Sequence, residues 1–165
     1  MGLFGPPNIE KLKAKKDDEG LIRALNYKKD YWETAHIRDG YIKSKMKREA
    51  AIRAGAASAL GEIRDPRGLK PLISAFSDEN QDVREAAVDA LVMIGESALN
   101  FLIAVLNYQG SYQKDETICK TAIETLGQIG DSRAEDLLIA ILNNKSGRLR
   151  EAAAHALGKI GETNA

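Results

Sequence analysis

The sequence predicts an all-α chain: an α-solenoid of four stacked helix pairs, with a helical insertion in the first turn between the two helices of a pair. Three observations carry this reading. Four segments, "IRAGAASALGEIRD", "VREAAVDALVMIGE", "ICKTAIETLGQIGD" and "LREAAAHALGKIGE", align in register, their leucines Leu60, Leu91, Leu126 and Leu157 spaced by 31, 35 and 31 residues. A shorter apolar pattern precedes each one, and two of the connecting turns are longer than the rest. Periods of this length mark stacked supersecondary units.

The second helix of each pair, helix B, follows from offsets around its leucine. Ile52, Val83, Ile118 and Leu149 lie eight residues earlier, Ala56, Ala87, Ala122 and Ala153 four earlier, and Ile63, Ile94, Ile129 and Ile160 three later. These offsets trace one helical face, with alanine where a neighbouring backbone must come close. The first helix, helix A, is read from "LIRAL", "LISAF", "LIAVL" and "LIAIL", beginning at Leu21, Leu72, Leu102 and Leu138. Asp17-Asp18, Asp65-Pro66 and Asp131-Ser132 supply its starts, since a short oxygen-bearing side chain caps the first free amides. Gly95, Gly130 and Gly161 supply the stops of helix B, where a left-handed residue closes the last turn. Arg64 holds that place in the first repeat, so its turn is expected to differ. Residues 1–16 then form an N-terminal cap, and the repeats occupy 17–64, 65–95, 96–130 and 131–161, with the insertion at about 30–50.

This pattern resembles the HEAT-like repeat family, in its short form found in phycobilisome lyases. The resemblance runs from Asp17 to Gly161 and implies four HEAT-like helix pairs in a right-handed solenoid, A helices on the convex side and B helices on the concave side. The family often carries an Asp and an Arg six residues apart that bond between adjacent repeats as a ladder. Asp78 with Arg84 fits this spacing, Asn144 with Arg150 nearly fits, and Lys47 with Arg53 and Gln113 with Cys119 depart from it.

The array is broken on one edge. Helices A and B are separated by seven residues in repeats 2 and 4, whereas repeat 1 carries about 20 more and repeat 3 about five more, both in the A-to-B turn, and insertions in repeat arrays gather on the functional side. All five tyrosines and Trp32 lie in or beside these two turns. Such residues anchor interfaces because they bury a large area at low entropic cost. The edge residues Tyr31, Trp32, Ile37, Tyr41, Ile42, Met46, Tyr108 and Tyr112 are therefore expected to bind a protein or peptide partner. A satellite core holding the insertion against the solenoid is the plainer alternative. From Tyr41 the insertion reads as a helix running into helix B, and Met46 then points about 120° away from the core stripe, together with Ile42. A second copy of the chain, meeting it there or at the C-terminal repeat, is another expected cover.

The second candidate surface is the outward face of helix B, with Glu85, Asp89, Met93, Lys120, Glu124, Gln128, Glu151 and His155. With Glu62 and Lys159 this face carries five acids and two lysines, which suits a basic or polar peptide and argues against nucleic acid. The cations Lys43, Lys45, Lys47 and Arg48 are offset by Asp30, Glu33, Asp39 and Glu49, and the formal net charge is zero.

No metal is expected. Glu33 and His36 have a Glu-x-x-His spacing, but the other histidine, His155, lies three repeats away. The relative deoxyhypusine hydroxylase binds iron through His-Glu dipeptides, and here His36 precedes Ile37 and His155 precedes Ala156. Bilin lyase subunits share the repeat, yet no residue carries their chemistry specifically. The lone Cys119 fits a reducing compartment, and no stretch approaches 18 apolar residues, so a cytoplasmic protein off the membrane is expected. The sequence points to a non-catalytic binding scaffold without a cofactor. The alternatives are a lyase-like or maturation factor holding a small cofactor on the concave face, and an engineered repeat carrying a grafted helix.

Overall fold

A computed structural model describes residues 6–27, 39–107 and 115–165, with backbone alone for 39–45. Among the described residues the elements are helices α1 (Ile9–Ala14), α2 (Asp18–Leu25), α3 (Asp39–Ile63), α4 (Leu69–Ser74), α5 (Gln81–Ile94), α6 (Glu96–Asn107), α7 (Glu116–Ile129), α8 (Glu135–Ile141) and α9 (Gly147–Thr163), with short 3₁₀ turns beside α4 and α8. Pairs α2/α3, α4/α5, α6/α7 and α8/α9 form the four-unit solenoid, and α1 packs on α2 and α3.

Five helix starts are fixed by a side chain. Asn8 accepts from the Lys11 amide, Asp17 from Gly20, Asn80 from Asp82 and Val83, Asp115 from Thr117 and Ile118, and Ser146 from Leu149. Asp65 and Asp131 cap the 3₁₀ turns that lead into α4 and α8, with Pro66 at the first helical position. Asp39 and Gly40 form the first residues of α3, which runs unbroken for 25 residues, about 37 Å.

The helix-B face behaves as the offsets require. Ala56, Ala87, Ala122 and Ala153 are completely buried, as are Leu60, Leu91 and Leu126, while Leu157 is half-buried. They join one continuous hydrophobic core with Leu21, Leu72, Leu102 and Leu138 of the A helices. Helix spacing is set by small residues one place after the leucine. A Cβ at Gly61 would lie 2.6 Å from the Ala90 Cα, and one at Gly127 would lie 2.7 Å from the Ala156 Cα. Only glycine allows these backbones to approach so closely.

Two expected turns come out differently. Arg64 takes a positive φ (58°), as Gly95 (72°) and Gly130 (74°) do, and its amide closes on the Leu60 carbonyl as theirs do on Leu91 and Leu126. The first repeat therefore keeps the closing bond of the others at a strain of about 1–2 kcal/mol for a residue with a Cβ. Gly161 does not end its helix. The helical bonding continues to Thr163, with nothing crowding Gly161.

Candidate functional site

The edge where helices A and B meet is built around one register of helix B, seven residues before the leucine. In repeat 1 this residue is Arg53, almost fully buried, whose Nε and Nη2 donate to the two carboxylate oxygens of Asp78 in repeat 2 at 2.8 and 2.9 Å. Its Nη1 also reaches the Tyr27 carbonyl at 3.3 Å. The bidentate geometry and low exposure make this a strong rung, because both charges are satisfied away from water. Arg53 had counted as a departure because Lys47 stands six residues before it. The pairing that matters joins it to the acid of the next repeat, which a spacing within one repeat does not reveal.

The other rungs weaken along the array. Arg84 donates to the Asp78 and Glu79 carbonyls of its own turn, and Arg150 does the same with the Asn144 and Lys145 carbonyls. In repeat 3 the register holds Cys119, buried at the floor of a cavity of about 310 Å³ whose walls are Leu106, Ile123, Ile141 and Leu149. Burial, then the neighbouring charges of Asp115 and Glu116, push its thiol above the ordinary range, which disfavours the nucleophilic thiolate. Asp115 itself is drawn upward by burial, but bonds from the Ser77 hydroxyl (2.9 Å) and from the Ile118 and Thr117 amides outweigh this and hold it low.

A second set of links on the other edge has its signal in Asp-x-Arg, at Asp65-Pro66-Arg67 and Asp131-Ser132-Arg133. Each arginine folds onto its own aspartate and also reaches the first turn of the preceding A helix, Arg67 to Asp18 and Arg133 to Glu96. The side-chain and amide hydrogen bonds of these arginines lower Asp65 and Asp131 to about 2. Asp18 is buried with Oδ1 lacking a hydrogen bond, and burial followed by the Asp65 charge pushes it up, against the pull of Arg67. The sequence reading had used these aspartates only as caps.

The expected edge residues are only partly placed. Tyr31, Trp32, Ile37, Tyr108 and Tyr112 lie outside the described residues, as do the side chains of Tyr41 and Ile42 on α3. Met46 is 49% exposed, as its helical phase requires, and Lys47 and Arg48 beside it are exposed too, whereas Glu49 and Arg53 are buried. On the helix-B face Glu85, Asp89, Met93, Lys120, Gln128, Glu151 and His155 are exposed and Glu124 is half-buried. Lys120 pairs with Glu124 at 2.9 Å and Gln81 with Glu85 at 2.7 Å, each within one helix. Among the described residues no three His, Cys, Asp or Glu side chains gather in a metal-holding group.

The HEAT-repeat family matches residues 44–114 and 111–165. The chain is 39% identical over 97 residues to the bilin biosynthesis protein PecF of Nostoc sp. PCC 7120, an overlap of 56% of this chain and 54% of that protein. It is 27% identical over 119 residues to an uncharacterized phycocyanin operon protein Z of Pseudanabaena tenuis, covering 66% and 57%. It thus spans little more than half the length of these curated relatives. Among solved structures it is similar to the complex of CpcE and CpcF of phycocyanin lyase from Nostoc sp. PCC 7120, with a TM-score of 0.46 and 24% identity over 93% of this chain and 56% of that one. It is also similar to a designed armadillo repeat protein in complex with the peptide (KR)4, with a TM-score of 0.43, 19% identity, and 92% and 67% coverage. The likeness to a protein of bilin biosynthesis overturns the expectation of a chain without an enzymatic role. That expectation had rested on finding no acid, base or nucleophile in a familiar pattern.

Proposed function

The chain belongs to the HEAT-repeat family, and from that premise we propose that it is a lyase-type component of bilin attachment, acting on an open-chain tetrapyrrole and the protein that receives it. The observation that carries this reading is the 39% identity over 97 residues to a bilin biosynthesis protein. The chemistry of the two exposed surfaces supports a division of work. A bilin is a flat apolar chromophore bearing two propionates, so its site needs apolar surface beside cations. Met46, Lys47 and Arg48, exposed together on α3, offer both. The acids on the helix-B face, Glu85, Asp89 and Glu151, repel propionates and suit a basic or polar protein surface, so the receiving protein is assigned to that side.

The test titrates the purified chain with a free bilin and reads induced visible circular dichroism, then measures the rate of bilin addition to an apo-phycobiliprotein. An induced signal is expected, lost on Lys47→Glu/Arg48→Glu and kept on Glu85→Lys/Asp89→Lys, the latter slowing transfer to the apoprotein instead. Absence of both an induced signal and any acceleration of addition overturns the reading.

A further inference from the structure

The register that holds Arg53, Arg84, Cys119 and Arg150 carries an arginine in three repeats out of four. Between repeats 1 and 2 the arginine comes from within: Arg53 forms part of the wall of a recess of about 260 Å³ and binds Asp78 across it. Between repeats 3 and 4 the corresponding positions hold Cys119 and Asn144, and a cavity of about 310 Å³ lies there. A thiol is about four atoms shorter than a guanidinium-tipped chain, and the cavity beside it is larger than the recess that Arg53 lines.

The walls of this cavity suit such a side chain. Leu106, Ile123 and Leu149 give apolar surface for a methylene stem, and Glu116 at the mouth supplies a carboxylate for the head. Glu116 accepts from the Ser146 hydroxyl and lies 3.6 Å from Arg148, while Lys145 at the same mouth is exposed and has room to swing into solvent. Beside Cys119 the carboxylates of Asp115 and Glu116 add to burial in raising its thiol. Asn144 Oδ1 accepts from the Ser146 amide at 2.9 Å and keeps a second lone pair.

We propose that this cavity receives an arginine side chain from a partner protein, which supplies in trans the guanidinium that repeat 3 lacks, with its stem on Leu106 and Leu149 and its head at Glu116. Arginine is favoured over lysine because a planar fork engages a carboxylate and an amide oxygen together, and because it is the less strongly hydrated cation.

Cys119 is the single cysteine of the chain, so its alkylation rate reports occupancy of the cavity directly. The probe is Nα-acetyl-arginine N-methylamide, for which one side chain in a preformed pocket implies a dissociation constant of about 1 mM. At about 10 mM it is expected to slow labelling roughly tenfold with a saturating dependence, while the acetyl-lysine analogue changes the rate less than about twofold. Glu116→Gln, judged against its own unliganded rate and with an unchanged Tm, is expected to lose the protection. The variant Cys119→Arg/Asn144→Asp, which restores the rung from within, is expected to raise the Tm. Labelling that is unaffected by the arginine probe, equal protection by the lysine analogue, or full protection in Glu116→Gln overturns the proposal.

Discussion

The interfaces between repeats 1 and 2 and between repeats 3 and 4 are built alike, and the one between repeats 2 and 3 is not. In the first kind α3 lies along α5, and α7 along α9, over much of their lengths, with Gly61 against Ala90 and Gly127 against Ala156. At the middle interface Val92 stands where those glycines stand and Thr125 where the alanines stand, and α5 and α7 meet over a short stretch only. The Asp-x-Arg turn is missing there too, since Gly95 alone joins α5 to α6. Among the described residues ion pairs link repeats 1 to 2 and 3 to 4, whereas the polar link from repeat 2 to repeat 3 is the Ser77–Asp115 hydrogen bond. One residue after the leucine thus sets how closely consecutive B helices stack, and the array consists of two tight double repeats joined by a looser seam.

The largest expected effect breaks a rung inside the first double repeat. Arg53→Ala removes the bidentate pair from the Asp78 carboxylate at a site hidden from water and should cost about 3–5 kcal/mol in urea unfolding. Arg84→Ala, which removes bonds only to carbonyls of its own turn, should cost about 1 kcal/mol. Next come the close approaches: Gly61→Ala and Gly127→Ala push a Cβ into a neighbouring backbone and should each cost about 1–3 kcal/mol. Val92→Ala at the seam loses only packing of a half-buried side chain and should cost less than either.

Acid should separate the two halves. Asp65 and Asp131 are lowered to about 2 in the fold, so each adds stability above the ordinary carboxylate range that is lost as pH falls from about 4 towards 2. Asp18 is shifted the other way, so its ionisation opposes folding and its protonation offsets the loss beside it. The partner of Arg133 is Glu96, which is exposed. Hydrogen exchange between about pH 4 and 2 should therefore show α8 and α9 loosening before α2 and α3, and Asp131→Asn should flatten the dependence in the second half. Exchange that loosens both halves together would remove this contrast.

The smallest effect reverses the sign. Gly158 occupies the register of Gly61 and Gly127 but has nothing within 4 Å, so Gly158→Ala should stabilise by up to about 1 kcal/mol through helix propensity alone. A loss there would show that the small residue serves something other than helix spacing.

Much of this was legible in the sequence because each helix B repeats the same alanine and leucine offsets, and the burial of Ala56, Ala87, Ala122 and Ala153 follows from them directly. The phase of Met46 was legible for the same reason. The Arg53–Asp78 rung was not, since it pairs positions in different repeats, 25 residues apart, and spacing within a repeat is blind to it. Arg64 was missed because conformational preference assigns left-handed positions to glycine, whereas here the closing bond to Leu60 holds the backbone in that shape. The proposed lyase-type role was not legible at all. It is drawn from likeness to a relative, and among the described residues no three His, Cys, Asp or Glu side chains gather to announce it.

The unbroken course of α3 has one more consequence. Its first turns carry Met46, Lys47 and Arg48, and its last turns are locked against α5 at Gly61, so the helix acts as an indexed shaft whose exposed end is aimed by its buried end. Adding or removing a single residue between Met46 and Ile52 would swing that end by about 100°, enough to turn its cations and methionine from one direction to another without changing any of them.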